Sequence, residues 1–133
     1  MSTNVQGNAV NKITDLYSFS VTPASGATAV VTLPKRCNWF SLLGSMSPNP
    51  ELIWITYRFD ANAHAVIAAT PLQSQGAIII GAQQVTVAGV YTIMAPQTRY
   101  VREGFQTLSF KNNSATNLAI LIVECGMGAA PGA

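Results

Sequence analysis

Apolar side chains recur at every second position along most of the chain, and this period constrains the fold more tightly than any other feature of its 133 residues. Successive side chains of an extended strand point to opposite faces, whereas a helix needs its apolar residues three and four apart. Residues 13–22 put Ile13, Tyr17, Phe19 and Val21 on one face and Thr14, Ser18, Ser20 and Thr22 on the other, with Leu16 as the exception. Pro23-Ala24-Ser25-Gly26 then turns the chain. Residues 27–33 set Ala29, Val31 and Leu33 against Thr28, Val30 and Thr32. Pro34 has no N–H to give a ladder and is expected to end that strand. A third strand is predicted over residues 37–43. Residues 44–50, with Gly44, Ser45, Ser47, Pro48, Asn49 and Pro50, read as a loop.

Residues 52–59 carry the clearest alternation, with Ile53, Ile55, Tyr57 and Phe59 on one side and Trp54, Thr56 and Arg58 on the other. The Ala-rich stretch 61–75 fits a short helix or a strand, is limited by Pro71, and is read as a strand. Residues 77–80, 84–87 and 90–95 form a further β-rich block that bends at Gly81 and Gly89 and ends at Pro96. A short strand is predicted over 98–102, bounded by Gly104. Residues 105–111 and 116–124, linked by Asn112-Asn113-Ser114-Ala115, read as an antiparallel hairpin. In its second strand Leu118, Ile120 and Ile122 oppose Ala119, Leu121 and Val123, so both faces are apolar and the strand is expected to be central or covered. Eight to ten short strands without a long helix predict an all-β fold, a sandwich or a barrel. Pattern alone leaves strand order open between jelly-roll and immunoglobulin-like topologies. The domain, residues 12–125, is flanked by an Asn-rich arm (1–11) and a Gly/Ala/Pro tail (126–133).

Charge is scarce. Seven basic and five acidic residues make 9% of the chain, against roughly a quarter in ordinary soluble domains. A folded monomer of this mass exposes on the order of 6,700 Å², so each charge serves about 550 Å². Such a surface is expected to be covered by copies of the same chain or by a partner. The basic residues Lys12, Lys35, Arg36, Arg58, Arg99, Arg102 and Lys111 are scattered. Only a convergence of Arg58, Arg99 and Arg102 would give nucleic acid the concentrated basic surface it requires, so a nucleic-acid partner is not expected. The first eight residues lack the basic and apolar regions of a secretory signal, and synthesis in the cytoplasm is expected. The longest apolar runs, 118–123 and 77–82, are far short of the ~20 residues that cross a bilayer. Cys37 and Cys125 have no neighbouring Cys or His at ligand spacing and are read as two buried thiols.

Groups for chemistry are nearly absent. Acid/base catalysis draws on His, Asp and Glu with tuned pKa values, and the chain offers one histidine with Asp15, Glu51, Asp60, Glu103 and Glu124. Asp60 and His64 are close in sequence but lack a nucleophile or a third ligand in register. No phosphate-binding glycine fingerprint occurs. Neither catalysis nor a cofactor, metal or small-molecule substrate is expected. Recognition is left to the strand-borne aromatics Trp39, Trp54, Tyr57, Tyr91 and Tyr100. Trp54, on the face that also carries Arg58, is expected under a second sheet or loop or, where it faces outward, at a subunit interface. The competing reading is a carbohydrate- or receptor-binding module of a virion tail or spike, with Trp54, Tyr57 or Tyr100 stacking on sugars.

A short, Met-started, signal-free and charge-poor β chain with a polar arm, the apolar strand Leu118-Ala119-Ile120-Leu121-Ile122-Val123-Glu124 and a small-residue tail resembles the jelly-roll cement or decoration proteins of tailed-bacteriophage capsids. The resemblance lies in whole-chain character and not in a motif. It implies an antiparallel, jelly-roll-like β-sandwich and a structural virion protein, assembled in the host cytoplasm. Its partners would be its own copies and the major capsid protein, which it would clamp from outside without catalysis. The residues expected at such contacts are Asn4, Gln6 and Asn8 of the arm, the loop from Ser45 to Asn49, and Trp54 or Arg58.

Overall fold

A computed structural model describes residues 16–48, 53–60, 63, 76–81, 89–94 and 97–128. Within them the chain is all-β. Seven strands follow in order: β1 (Leu16–Val21), β2 (Thr28–Ser47), β3 (Trp54–Arg58), β4 (Gly76–Ile80), β5 (Tyr91–Met94), β6 (Gln97–Asn112) and β7 (Leu118–Gly126). They form one mixed sheet in the order β1-β7-β2-β6-β4-β3-β5. Among the described pairings β4 and β6 run parallel and the others antiparallel.

Two long strands, β2 of 20 residues and β6 of 16, run through both halves of the sheet. The second part of β2 pairs with β7 and with the start of β6, while its first part pairs with the end of β6, which also pairs with β4. The halves face each other across one core. Phe19 of β1 meets Phe110 of β6 edge to face at 6.2 Å. Phe40 of β2 meets Tyr57 at 5.4 Å and Phe59 at 5.1 Å, and Phe59 meets Phe105 at 5.1 Å. Aromatic pairs at these separations add about 0.5–1.5 kcal/mol each to their area burial.

The bend is built from two opposed irregularities. Between the pairs Thr32↔Thr107 and Cys37↔Phe105, β2 carries extra residues around Leu33 to Arg36. Between Cys37↔Phe105 and Trp39↔Tyr100, β6 carries as many extra around Val101 to Gly104, so the register is restored. Pro34 therefore does not end the strand as predicted. Its missing N–H falls where the β2–β6 ladder is already interrupted, one of the positions at which a sheet tolerates proline. Gln106 Nε2 donates to the Leu33 carbonyl at 2.9 Å, and the Arg36 guanidinium donates to the Glu103 carbonyl. Gly104 sits at φ +76°, where any Cβ is strained, and its own would lie 3.1 Å from the Cys37 carbonyl oxygen. Bulges of this kind bend strands and re-aim side chains.

Four boundaries differ from the sequence reading. Residues 27–33 and 37–43 belong to one strand, as do 98–102 and 105–111, so the described strands are fewer and longer than predicted. Residues 44–47 extend β2 and are not a loop, because each pairs with β7 from Leu121 to Leu118. The predicted hairpin of 105–111 with 116–124 does not form: β2 lies between β6 and β7. The linking residues act as a latch between halves. Asn112, fully buried, donates from Nδ2 to the carbonyls of Pro23 (3.0 Å) and Asn117 (2.7 Å) and accepts the Ser114 N–H at 2.9 Å. A turn-rich sequence signals a change of direction without naming the strand that follows as a partner. The turn expected at 23–26 is present, closed by Ala27 N–H to the Ala24 carbonyl at 2.9 Å, with Gly26 at φ +75°.

Alternation predicted the inward faces well. Tyr17, Phe19 and Val21 of β1, Ala29, Val31 and Leu33 of β2, and Ile53, Ile55, Tyr57 and Phe59 around β3 all belong to or pack on the core, and Leu16 is exposed. The predicted strand at 84–87, most of 61–75, the arm and the end of the tail lie outside the described residues. Gly126 closes β7, and the Gly128 N–H donates to Asn38 Oδ1 at 3.1 Å.

Candidate functional site

Two surfaces stand out. The first is the outer face of β1, β7 and the second part of β2. Strand β7 lies between β1 and β2, with Ile122 opposite Ser20 on one side and Leu43 on the other, Ile120 opposite Ser45, and Leu118 opposite Ser47. Its inward side chains Ala119, Leu121, Val123 and Cys125 are fully buried. Its outward ones are not: Ile122 is 49% exposed and its cross-strand neighbour Leu43 53%, with Leu118, Ile120 and Leu16 also exposed. Serines 18, 20, 41, 45 and 47 border the apolar row, and Glu124 is the only charged side chain among the described residues of this face.

The second surface is a cleft of about 390 Å³ between the first part of β6 and the β3–β5 pair. The extra residues of the β6 irregularity, Val101, Arg102 and Glu103, form one wall with Tyr100. Tyr57, Phe59 and Asp60 from the end of β3, with Gly89 and Tyr91 from the start of β5, form the other. The irregularity in β6 thus also supplies one wall of this cleft. Tyr91 is 59% exposed and Tyr100 53%. Tyr57, paired opposite Tyr91, is buried, with its ring centroid 5.7 Å from that of Tyr91. Burial raises the Tyr57 phenol above its ordinary range, against the opposing pull of the Arg99 charge and hydrogen bond. Arg58 Nε donates to Asp60 at 2.8 Å, and its guanidinium lies against Gly89, whose φ of +82° favours glycine.

The residues singled out from sequence do not converge. Ser45 is exposed beside Ile120 on the outer face, in a strand and not in a loop. Trp54 and Arg58 share the second face of β3 as expected, both half-buried, but at opposite ends of the strand. Arg58 borders the cleft through Asp60 and Gly89, while the Trp54 carbonyl accepts the Gly81 N–H at 2.8 Å. Asn4, Gln6, Asn8, Asn49 and His64 lie outside the described residues. Of the aromatics, Trp39 is fully buried, and its indole N–H has no acceptor among the described residues. The apolar row was visible in sequence as a strand with two apolar faces, but it was read as covered. The cleft had no sequence signal beyond tyrosines at positions 57, 91 and 100, because it joins residues from three strands.

Cys37 and Cys125 are both buried free thiols. Burial, then the neighbouring Cys37 and Glu124, hold the Cys125 thiol far above its usual range. Among the described residues no three His, Cys, Asp or Glu side chains are grouped to hold a metal ion. No protein-family description, curated protein or solved structure matches the chain.

Proposed function

We propose that this protein is a structural subunit of an assembled shell, of the cement or decoration type, acting by repeated non-covalent contacts with its own copies and with a major capsid protein. The observation that carries this reading is the outward row Leu43, Ile122, Ile120 and Leu118 on a face with a single charge. Contiguous exposed apolar side chains on a soluble chain mark contact surfaces. Burying them beside serines incurs little charge desolvation. Two-fold symmetry brings one such patch against its own copy, and symmetric assembly multiplies modest contacts into avidity. The low charge of the whole chain supports the same reading.

Mass in solution tests it. The wild type is expected to be oligomeric in size-exclusion chromatography with light scattering, and to co-sediment with capsid shells that lack decoration. Ile122→Lys is expected to shift it toward monomer and to abolish co-sedimentation. A wild type that stays monomeric at high concentration and leaves shells unbound overturns the reading.

A further inference from the structure

We propose that the cleft between β6 and the β3–β5 pair binds a neutral carbohydrate, with Tyr91 and Tyr100 stacking on the sugar and Asp60, Arg102 and Glu103 bonding its hydroxyls. This goes beyond the assembly reading and rests on a different surface. Two tyrosines from different strands line one concavity while more than half exposed, although large aromatic rings are usually buried. A tyrosine offers a flat apolar ring and a polar tip at little cost in side-chain entropy. Sugar rings present the matching pair of surfaces, C–H faces and hydroxyl edges.

The rest of the lining fits a polyol better than an ion or an apolar peptide. Carboxylates accept from hydroxyl donors, a guanidinium donates to hydroxyl oxygens, and here both signs meet at one rim in Asp60, Glu103 and Arg102. Arg102, Arg58 on Asp60 and Arg99 on Tyr57 bring three cations to the two carboxylates Asp60 and Glu103, so both signs are mixed at the cleft with an excess of one positive charge. Asp60 is already oriented by Arg58 Nε at 2.8 Å, so its position is set before a ligand arrives. The buried Tyr57 ring packs beside Tyr91 as its cross-strand neighbour. At about 390 Å³ the cleft lies at the small end of ligand sites, which run from roughly 300 to 1,000 Å³ and suit a mono- or disaccharide end group.

The experiment is a glycan array with the full-length protein, carrying neutral and sialylated oligosaccharides, followed by amide NMR titration with the free form of the best binder. Neutral glycans are expected to bind and to shift the amides of Tyr91, Tyr100 and Arg102. Tyr91→Ala and Tyr100→Ala are each expected to weaken binding about tenfold or more, and Glu103→Gln to weaken it less. Tyr91→Phe keeps the ring and should keep most of the binding, which separates lost stacking from lost folding. Ile122→Lys should leave glycan binding intact while changing the oligomer, so this proposal and the assembly reading fail separately. The proposal is overturned if no array glycan binds, if binding survives both tyrosine-to-alanine changes, or if only sialylated glycans bind. It is equally overturned if a proline-rich peptide shifts the cleft amides and no glycan does, since exposed aromatics in a groove also suit such peptides.

Discussion

Strands β7 and β3 invert what their sequences lead one to expect. β7 is apolar on both faces, yet its outer side chains Leu118, Ile120 and Ile122 are exposed. β3 has a mixed second face of Trp54, Thr56 and Arg58, yet Thr56 is fully buried and its neighbours are half-buried. Thr56 lies between Ile79 of β4 and Thr92 of β5, and its hydroxyl is 3.2 Å from that of Thr92. A buried hydroxyl that keeps a partner is tolerated at little cost. An exposed isoleucine row is tolerated too, because apolar atoms supply more than half of any protein surface. The polarity of a strand face therefore reports what the face can accept, and its coverage is set by the elements around it. β7 remains apolar outside because, on the assembly reading, its covering element belongs to another molecule.

Matched substitutions break or sharpen this contrast. Thr56→Lys puts an uncompensated charge in a fully buried position and is expected to cost several kcal/mol, at least about 4, leaving little folded protein by circular dichroism. Ile122→Lys, on the more apolar strand, is expected to change the stability of the isolated subunit by about 0.5 kcal/mol or less. Equal losses in urea titrations at low protein concentration would mean that the outer face of β7 is covered within the single chain.

The next effect separates the two faces of β2. A Cβ on Gly44 would lie 2.6 Å from Leu121 Cδ2 and 2.7 Å from the Ile120 carbonyl oxygen. Because one neighbour is backbone, a rotamer change cannot relieve it, and Gly44→Ala should cost about 1–3 kcal/mol. Its exposed neighbour Ser45→Ala should stay within about 0.5 kcal/mol. A neutral Gly44→Ala in chemical denaturation would show that β2 and β7 do not approach this closely.

A smaller, pH-dependent effect belongs to the inner face of β7. Cys125 is held protonated in the folded chain, whereas an unfolded cysteine ionises near pH 8.5. The folded state thus binds more protons at alkaline pH, so the Cys125 contribution is fully present below about pH 8.5 and declines as pH rises above it. The slope approaches about 1.4 kcal/mol per pH unit, and it should shrink in Cys125→Ala. Stability that is flat to alkaline pH in the wild type would place the thiol in contact with water.

Local pattern carried the strand-forming segments and their inward faces. Alternation over 27–33 and 52–59 identified which side chains reach the core, because a pleated strand separates its two faces whatever lies beside it. It failed where the outcome depends on a partner strand. Pro34 looked like a terminator because its lost N–H matters only if a ladder bond is due there, and the bend removes that bond. Gly44 and Ser45 looked like loop residues, but both pair with β7, which leaves no room for a Cβ at Gly44. The candidate surfaces were legible to different degrees: the apolar row could be read from 118–124, whereas the cleft is assembled from residues up to 46 positions apart, Tyr57 and Glu103 at its extremes.

What the sequence determined by itself is the all-β class, the inward faces, the scarcity of charge and of acid/base groups, and the turn at 23–26, since each depends on residue types within a few positions. Tertiary structure alone decided that β2 lies between β6 and β7, that opposed irregularities bend one sheet onto itself, and that Tyr91 and Tyr100 share a cleft while Ile122 and Leu43 share an open face. The physical reason is range. Side-chain alternation and turn chemistry act over a few bonds, whereas strand pairing and coverage are settled by contacts between residues far apart along the chain.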